Sequence, residues 1–108
     1  MLILTTKLKN ALNKQGGEMP LQFTLKNITI NGAKRGCSGF VRNLDNNTVV
    51  YINTEMPCTH LNYMYRYADH EKDFTGYHNR WANSLEELAK ATIVLLKKSP
   101  QMVNDRRI

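Results

Sequence analysis

The chain has 108 residues, 42% of them apolar and 22% charged. That balance describes one domain with a core of its own, and it excludes both a disordered chain and a pair of domains. Net charge is +6, and no apolar run approaches the ~20 residues a membrane span needs, so we expect no membrane partner.

Residues 4–15 predict a short helix. Leu4, Leu8, Ala11 and Leu12 recur at helical spacing, with Lys7, Asn10 and Lys14 on the other face. Thr5 or Thr6 caps its start, and Gly16-Gly17 ends it, since glycine takes the left-handed position at no steric cost. After Pro20, Leu21, Phe23 and Leu25 alternate with polar residues, the period of a half-buried strand. The apolar phase slips at Asn27, which predicts a bulge or bend there. Asn31-Gly32 is a hairpin turn signal. A second hairpin is expected from Gly39–Leu44, the turn Asp45-Asn46-Asn47 and Thr48–Ile52. Met56-Pro57-Cys58-Thr59 reads as a loop. Leu61, Tyr63, Tyr65 and Tyr67 give a further strand with an aromatic face, and Asp69–Asp73 a charged loop. Phe74–Trp81 fits either an extended edge or an ordered loop. Ser84 and Glu87 form a capping box for a last helix, whose buried stripe is Leu85, Leu88, Ala89, Thr92, Leu95 and Leu96. Lys97 and Lys98 suit its C-terminal dipole, and Ser99-Pro100 stops it.

Strands joined by tight turns must be antiparallel. The expected fold is therefore α+β: an antiparallel sheet of four to five strands, with the N-terminal and C-terminal helices packed on one face. One domain spans residues 1–100, and 101–108 form a frayed tail. The start, Met1-Leu2-Ile3-Leu4, is too short for a signal-peptide core and no small-residue cleavage site follows, so a cytoplasmic location is expected. Cys37 and Cys58 are then expected to be free thiols, with their pairing left open by the sequence.

The positive charge is uneven. Residues 1–44 hold seven Lys/Arg against the single acid Glu18, while residues 45–82 are net −2 and 83–108 net +2. A basic segment attracts phosphates or an acidic protein face over roughly 8 Å at physiological salt.

Catalytic chemistry finds little support. Cys37, Cys58, His60, His70 and His78 contain one close pair, Cys58 and His60, whereas zinc modules supply two. No metal and no cofactor is expected. Asp69-His70-Glu71-Lys72-Asp73 concentrates acids in one loop, but neighbours in a loop point apart, and a nuclease needs carboxylates converging from rigid elements. No Gly-x-Ser-x-Gly elbow is present. The chain is not expected to be an enzyme.

Lys34-Arg35-Gly36-Cys37-Ser38-Gly39 reads as a basic, glycine-rich loop that either connects strands or aims N–H groups at a phosphate. It lacks P-loop spacing and precedes a strand. Tyr63, Tyr65 and Tyr67 beside Arg66 either stack bases or pack beneath a helix, and a small sheet favours the second use. Tyr77, Arg80 and Trp81 form another aromatic-basic group, of residue types enriched at binding hot spots. Trp81 is equally suited to anchoring a core. The candidate contacts are Lys34, Arg35, Arg42, Arg66, Arg80 and Trp81.

The element order is similar to that of double-stranded RNA-binding domains. However, Ser84-Leu85-Glu86-Glu87-Leu88 places two acids where that family has lysines. The stretches Phe23–Gly32, Tyr65–Asp69, Asn79-Arg80-Trp81-Ala82 and Ser84–Leu88 instead resemble short accessory proteins of Gram-positive plasmids, phages and conjugative elements. Such elements also encode anti-CRISPR proteins, small inhibitors that bind a Cas nuclease or its guide RNA. The resemblance implies a non-catalytic inhibitor working by occlusion. The alternative is a DNA- or RNA-binding accessory protein.

Overall fold

The computed structural model describes residues 4–30, 33–54, 63–74 and 77–98, the side chains of residues 30 and 33–35 excepted. Helix α1 (Leu4–Gly16) is followed by strands β1 (Leu21–Ile30), β2 (Ala33–Asn43), β3 (Thr48–Asn53), β4 (Tyr63–Ala68) and β5 (Arg80–Ala82), then helix α2 (Leu85–Leu96). The strands form one antiparallel sheet in the order β1-β2-β3-β4-β5. The α+β class, five strands and two terminal helices agree with the sequence pattern. Among the described residues, no helix is long and apolar enough to cross a membrane.

Both helices pack on the same side of the sheet. There Leu8 and Leu12 of α1 meet Leu88, Ala89, Ile93 and Leu96 of α2 over Val41, Val50, Ile52 and Tyr67. Tyr63 and Tyr65 pack against this core, so the tyrosine row lies under the helices. The α2 stripe is as the spacing predicts, except that Leu85 is only half-buried and Ile93 joins it. Ser84 caps α2 by accepting a hydrogen bond from the Glu87 N–H at 3.0 Å. The Glu87 carboxylate reaches back to the Asn83 N–H at 2.9 Å, one residue before the cap. At the other end, Asn43 and Asn46 donate side-chain hydrogen bonds to the Leu96 carbonyl at 2.9 and 3.0 Å. The β2–β3 turn thus satisfies a carbonyl that the helix end leaves without an intrahelical donor.

Four local expectations need correction. Thr5 and Thr6 do not cap α1 but lie within it, after Leu4, and the Thr5 hydroxyl bonds to Asn27 of β1. Gly16 belongs to α1, and it is Gly17 that takes the left-handed position, φ +61°, with its N–H bonded to the Asn13 carbonyl. The irregularity expected at Asn27 falls between Ile28 and Thr29, and the extra residue is Arg35 of β2, since Ile28 pairs with Gly36 and Thr29 with Lys34. Residues 34–39 are not a loop but the first half of β2, paired along β1. The glycines there mislead because they serve strand contact. A Cβ built on Gly39 (φ +151°) would stand 1.9 Å from the Thr24 carbonyl oxygen of β1. Only glycine permits so close an approach.

Hairpin β1–β2 joins Ile30 to Ala33 as Asn31-Gly32 predicts; the two turn residues, the Met56–Thr59 loop, Cys58 and the expected tail 101–108 lie outside the described residues. Of the span 74–81, residues 75 and 76 lie outside the described residues, and the rest includes an isolated bridge at Tyr77 and the start of edge strand β5.

Candidate binding surface

The sheet face away from the helices is not bare. Phe40, Val49, Tyr51, Met64 and Ala68 form a second apolar cluster, with Trp81 packed against it. Phe74 stands over Phe40 and Tyr51, with ring centroids 5.5 and 5.6 Å away, and remains 63% exposed. The segment bearing Phe74 is tied down at two points. Arg42 of β2 makes a bidentate ion pair with Glu71, both N···O distances being 2.7 Å. That pairing raises the Arg42 pKa and holds the Glu71 carboxyl below the usual carboxylate range. Arg66 of β4 donates to the Tyr67 carbonyl and to the Asp73 carbonyl, each at 2.9 Å. Its guanidinium also lies 4.7 Å from the Tyr51 ring centroid, and the residue is only 2% exposed.

The six candidate contact residues therefore do not form one surface. Lys34 and Arg35 lie in β2 near the β1–β2 hairpin, their side chains outside the described residues. Strand alternation sends Arg42, Arg66 and Trp81 to the face away from the helices. Arg66 is sealed inside that face and Arg42 is engaged with Glu71. Trp81, opposite Met64, is half-buried. Arg80 projects to the helix side, 5.4 Å from the Tyr67 ring centroid. There Tyr65 is pushed above the ordinary phenol value by burial, with Arg80 opposing the shift and Glu87 adding to it.

The acid-rich loop does not converge either. Glu71 turns to Arg42, the Asp73 carboxylate accepts from the Asp69 N–H, and His70 Nδ1 accepts from the Lys72 N–H. Asp69 also accepts a short hydrogen bond from the Tyr77 hydroxyl, and His78 is exposed. Among the described residues no group of three His, Cys, Asp or Glu side chains stands close enough to hold a metal. Cys37 is a free, buried thiol whose pKa is pushed up to about 11, burial outweighing the neighbouring Thr5 hydroxyl, which acts the other way.

What the fold does assemble is a cationic flank along α1 and β1. Helix α1 runs antiparallel to β1: the Thr5 hydroxyl donates to the Asn27 side chain at 2.6 Å, and the Lys9 ammonium sits 5.8 Å from the Phe23 ring centroid. Lys7 and Lys14 are exposed on the helix, and Lys26 is exposed on the strand's other side. Glu18 is the one acid between residues 4 and 30. The charge count located this flank coarsely, but Lys9, Lys26 and Phe74 were not singled out by spacing. An exposed aromatic looks like a core aromatic in one dimension.

No family model, curated protein or solved structure matches the chain.

Proposed function

We propose that this chain is a non-catalytic binding protein of a mobile genetic element. Its most concrete form is an anti-CRISPR-type inhibitor that occludes a Cas nuclease or its guide RNA. The observation that carries the reading is the α1–β1 flank, where Lys7, Lys9, Lys14 and Lys26 are offset by a single acid, Glu18, on a helix packed along a strand. Cations anchored on a folded backbone attract an anionic partner, and binding then has to order the lysine side chains but not the chain that carries them. The acid-rich loop supports the same reading, because its carboxylates are engaged with neighbouring groups and do not converge on a reacting atom. A mobile-element origin rests on the resemblance of segments 23–32, 65–69, 79–82 and 84–88.

The purified chain, added in excess to a guide-loaded Cas nuclease, is expected to co-elute with it and suppress target cleavage. Neither co-elution nor loss of cleavage across the main nuclease types would remove the inhibitor reading. A gel shift with DNA and RNA at rising salt decides the alternative. An accessory nucleic-acid binder shows direct affinity that falls steeply with salt as counterions are released.

A further inference from the structure

The sheet ends on one side in a long strand. Strand β1 runs for ten residues and, among the described residues, is hydrogen-bonded to β2 alone. The ladder tells which of its groups that leaves. The Leu44 N–H bonds to the Pro20 carbonyl at 2.9 Å, so Pro20 and Leu44 stand at a hydrogen-bonding position of the antiparallel register. Such positions recur at every second residue. Gln22, Thr24, Lys26 and Ile28 therefore bond to β2, while the N–H and C=O groups of Leu21, Phe23, Leu25 and Asn27 point away from the sheet. Among the described residues no strand pairs with them. Proteins usually shield such an edge with proline, a bulge or several charges. Here β1 has no internal proline, the extra residue at the irregularity belongs to β2, and Lys26 is its one charged residue.

We propose that the β1 edge accepts an extended, acidic segment of a partner protein as a sixth strand. The proposal rests on the binding reading above and adds the class of partner. Backbone groups of Leu21, Phe23, Leu25 and Asn27 supply the hydrogen bonds of strand addition. The half-buried Phe23 and Leu25 side chains offer apolar contact on the helix side. Charge selects the occupant: Lys9 flanks the edge from the helix side and Lys26 from the opposite side. An acidic strand whose apolar face lies over Phe23 and Leu25 on the helix side sets its carboxylates beside Lys26 on the other. A second copy of the chain does the reverse, since a two-fold axis through β1 brings two α1 helices and two Lys26 side chains to one junction, and like charges there repel.

The test uses a synthetic alternating valine–glutamate peptide and the full chain, followed by amide NMR and hydrogen exchange. We expect saturable binding, with slowed exchange at Leu21, Phe23, Leu25 and Asn27. Leu25→Pro removes an outward N–H and leaves the β2 ladder intact; it is expected to weaken binding about tenfold or more. Lys26→Glu leaves the backbone untouched and is expected to weaken the acidic peptide roughly fivefold while sparing a lysine-containing counterpart. Shifts confined to lysines without amide protection would overturn the proposal, as would equal binding by Lys26→Glu. Protection of the same amides by raising the protein concentration alone would assign the edge to a second copy and also overturn it. If the nuclease still co-elutes with Leu25→Pro and Lys26→Glu, strand addition fails while the inhibitor reading stands.

Discussion

A glycine and an arginine carry more of this fold than their residue types suggest. At Gly39 the β2 backbone passes so close to β1 that a methyl group would overlap the Thr24 carbonyl oxygen, and its φ of +151° is unfavourable for any L side chain. Gly39→Ala is therefore expected to cost about 3 kcal/mol or more, read as a lower urea midpoint at an unchanged denaturant slope. Arg66 satisfies two carbonyls from opposite ends of its guanidinium and stacks on Tyr51. Lysine reaches one carbonyl at most and has no planar face to stack. Arg66→Lys is expected to lose about 2 kcal/mol of stability. A variant as stable as the parent would show that this arginine is not a strut.

Segment 69–74 is held over the sheet by a charge, and so its hold depends on pH. Glu71 has a folded pKa below its unfolded value because Arg42 hydrogen-bonds the ionised form. Its contribution is complete above the unfolded carboxylate range, near ~4.3, and is lost as pH falls through the lower folded value. Both side chains are partly accessible, 21% for Arg42 and 27% for Glu71, so the pair is worth about 1 kcal/mol at neutral pH. Glu71→Gln is expected to lose that amount at pH 7 and little at pH 2. Thermal melts of both proteins across that range check it; a constant difference would mean the charge is not what matters. At the same end of the sheet, on the helix side, the fastening is made without charge, where Asn43 and Asn46 of the β2–β3 turn bond to the end of α2.

At the scale of the whole molecule, the two faces of the sheet divide the labour. One carries both helices and the main core; the other carries a smaller aromatic cluster under Phe74. Cys37 lies within the main core, at 0% exposure, beside Thr5 of α1. Its thiol reactivity therefore reports opening of the helix layer. In a Cys58→Ser background, Cys37 is expected to resist a disulfide reagent at pH 8 in the folded protein and to react promptly in urea. Raising the thiol pKa to about 11 also means stability present below the ordinary thiol range is lost as pH climbs through that value. Fast labelling in the native state would show that α1 opens readily from the sheet.

Periodicity and turn chemistry were enough for the helices, the hairpins and the antiparallel class. Those features depend on neighbours in the chain: the stripe of α2, the hairpin that pairs Ile30 with Ala33, and the alternation of Tyr63, Tyr65 and Tyr67. The sequence also placed the positive charge in the first half of the chain, because charge can be counted without coordinates. It could not say that Lys34–Gly39 is strand, since the reason for Gly39 is the β1 backbone fifteen residues earlier. Nor could it separate Arg66 from Arg80, two arginines beside tyrosines that end on opposite faces, one sealed and one partly open. Those outcomes, and the direction in which the edge groups of β1 point, were decided by strand register and order, which fix what each residue meets across the sheet.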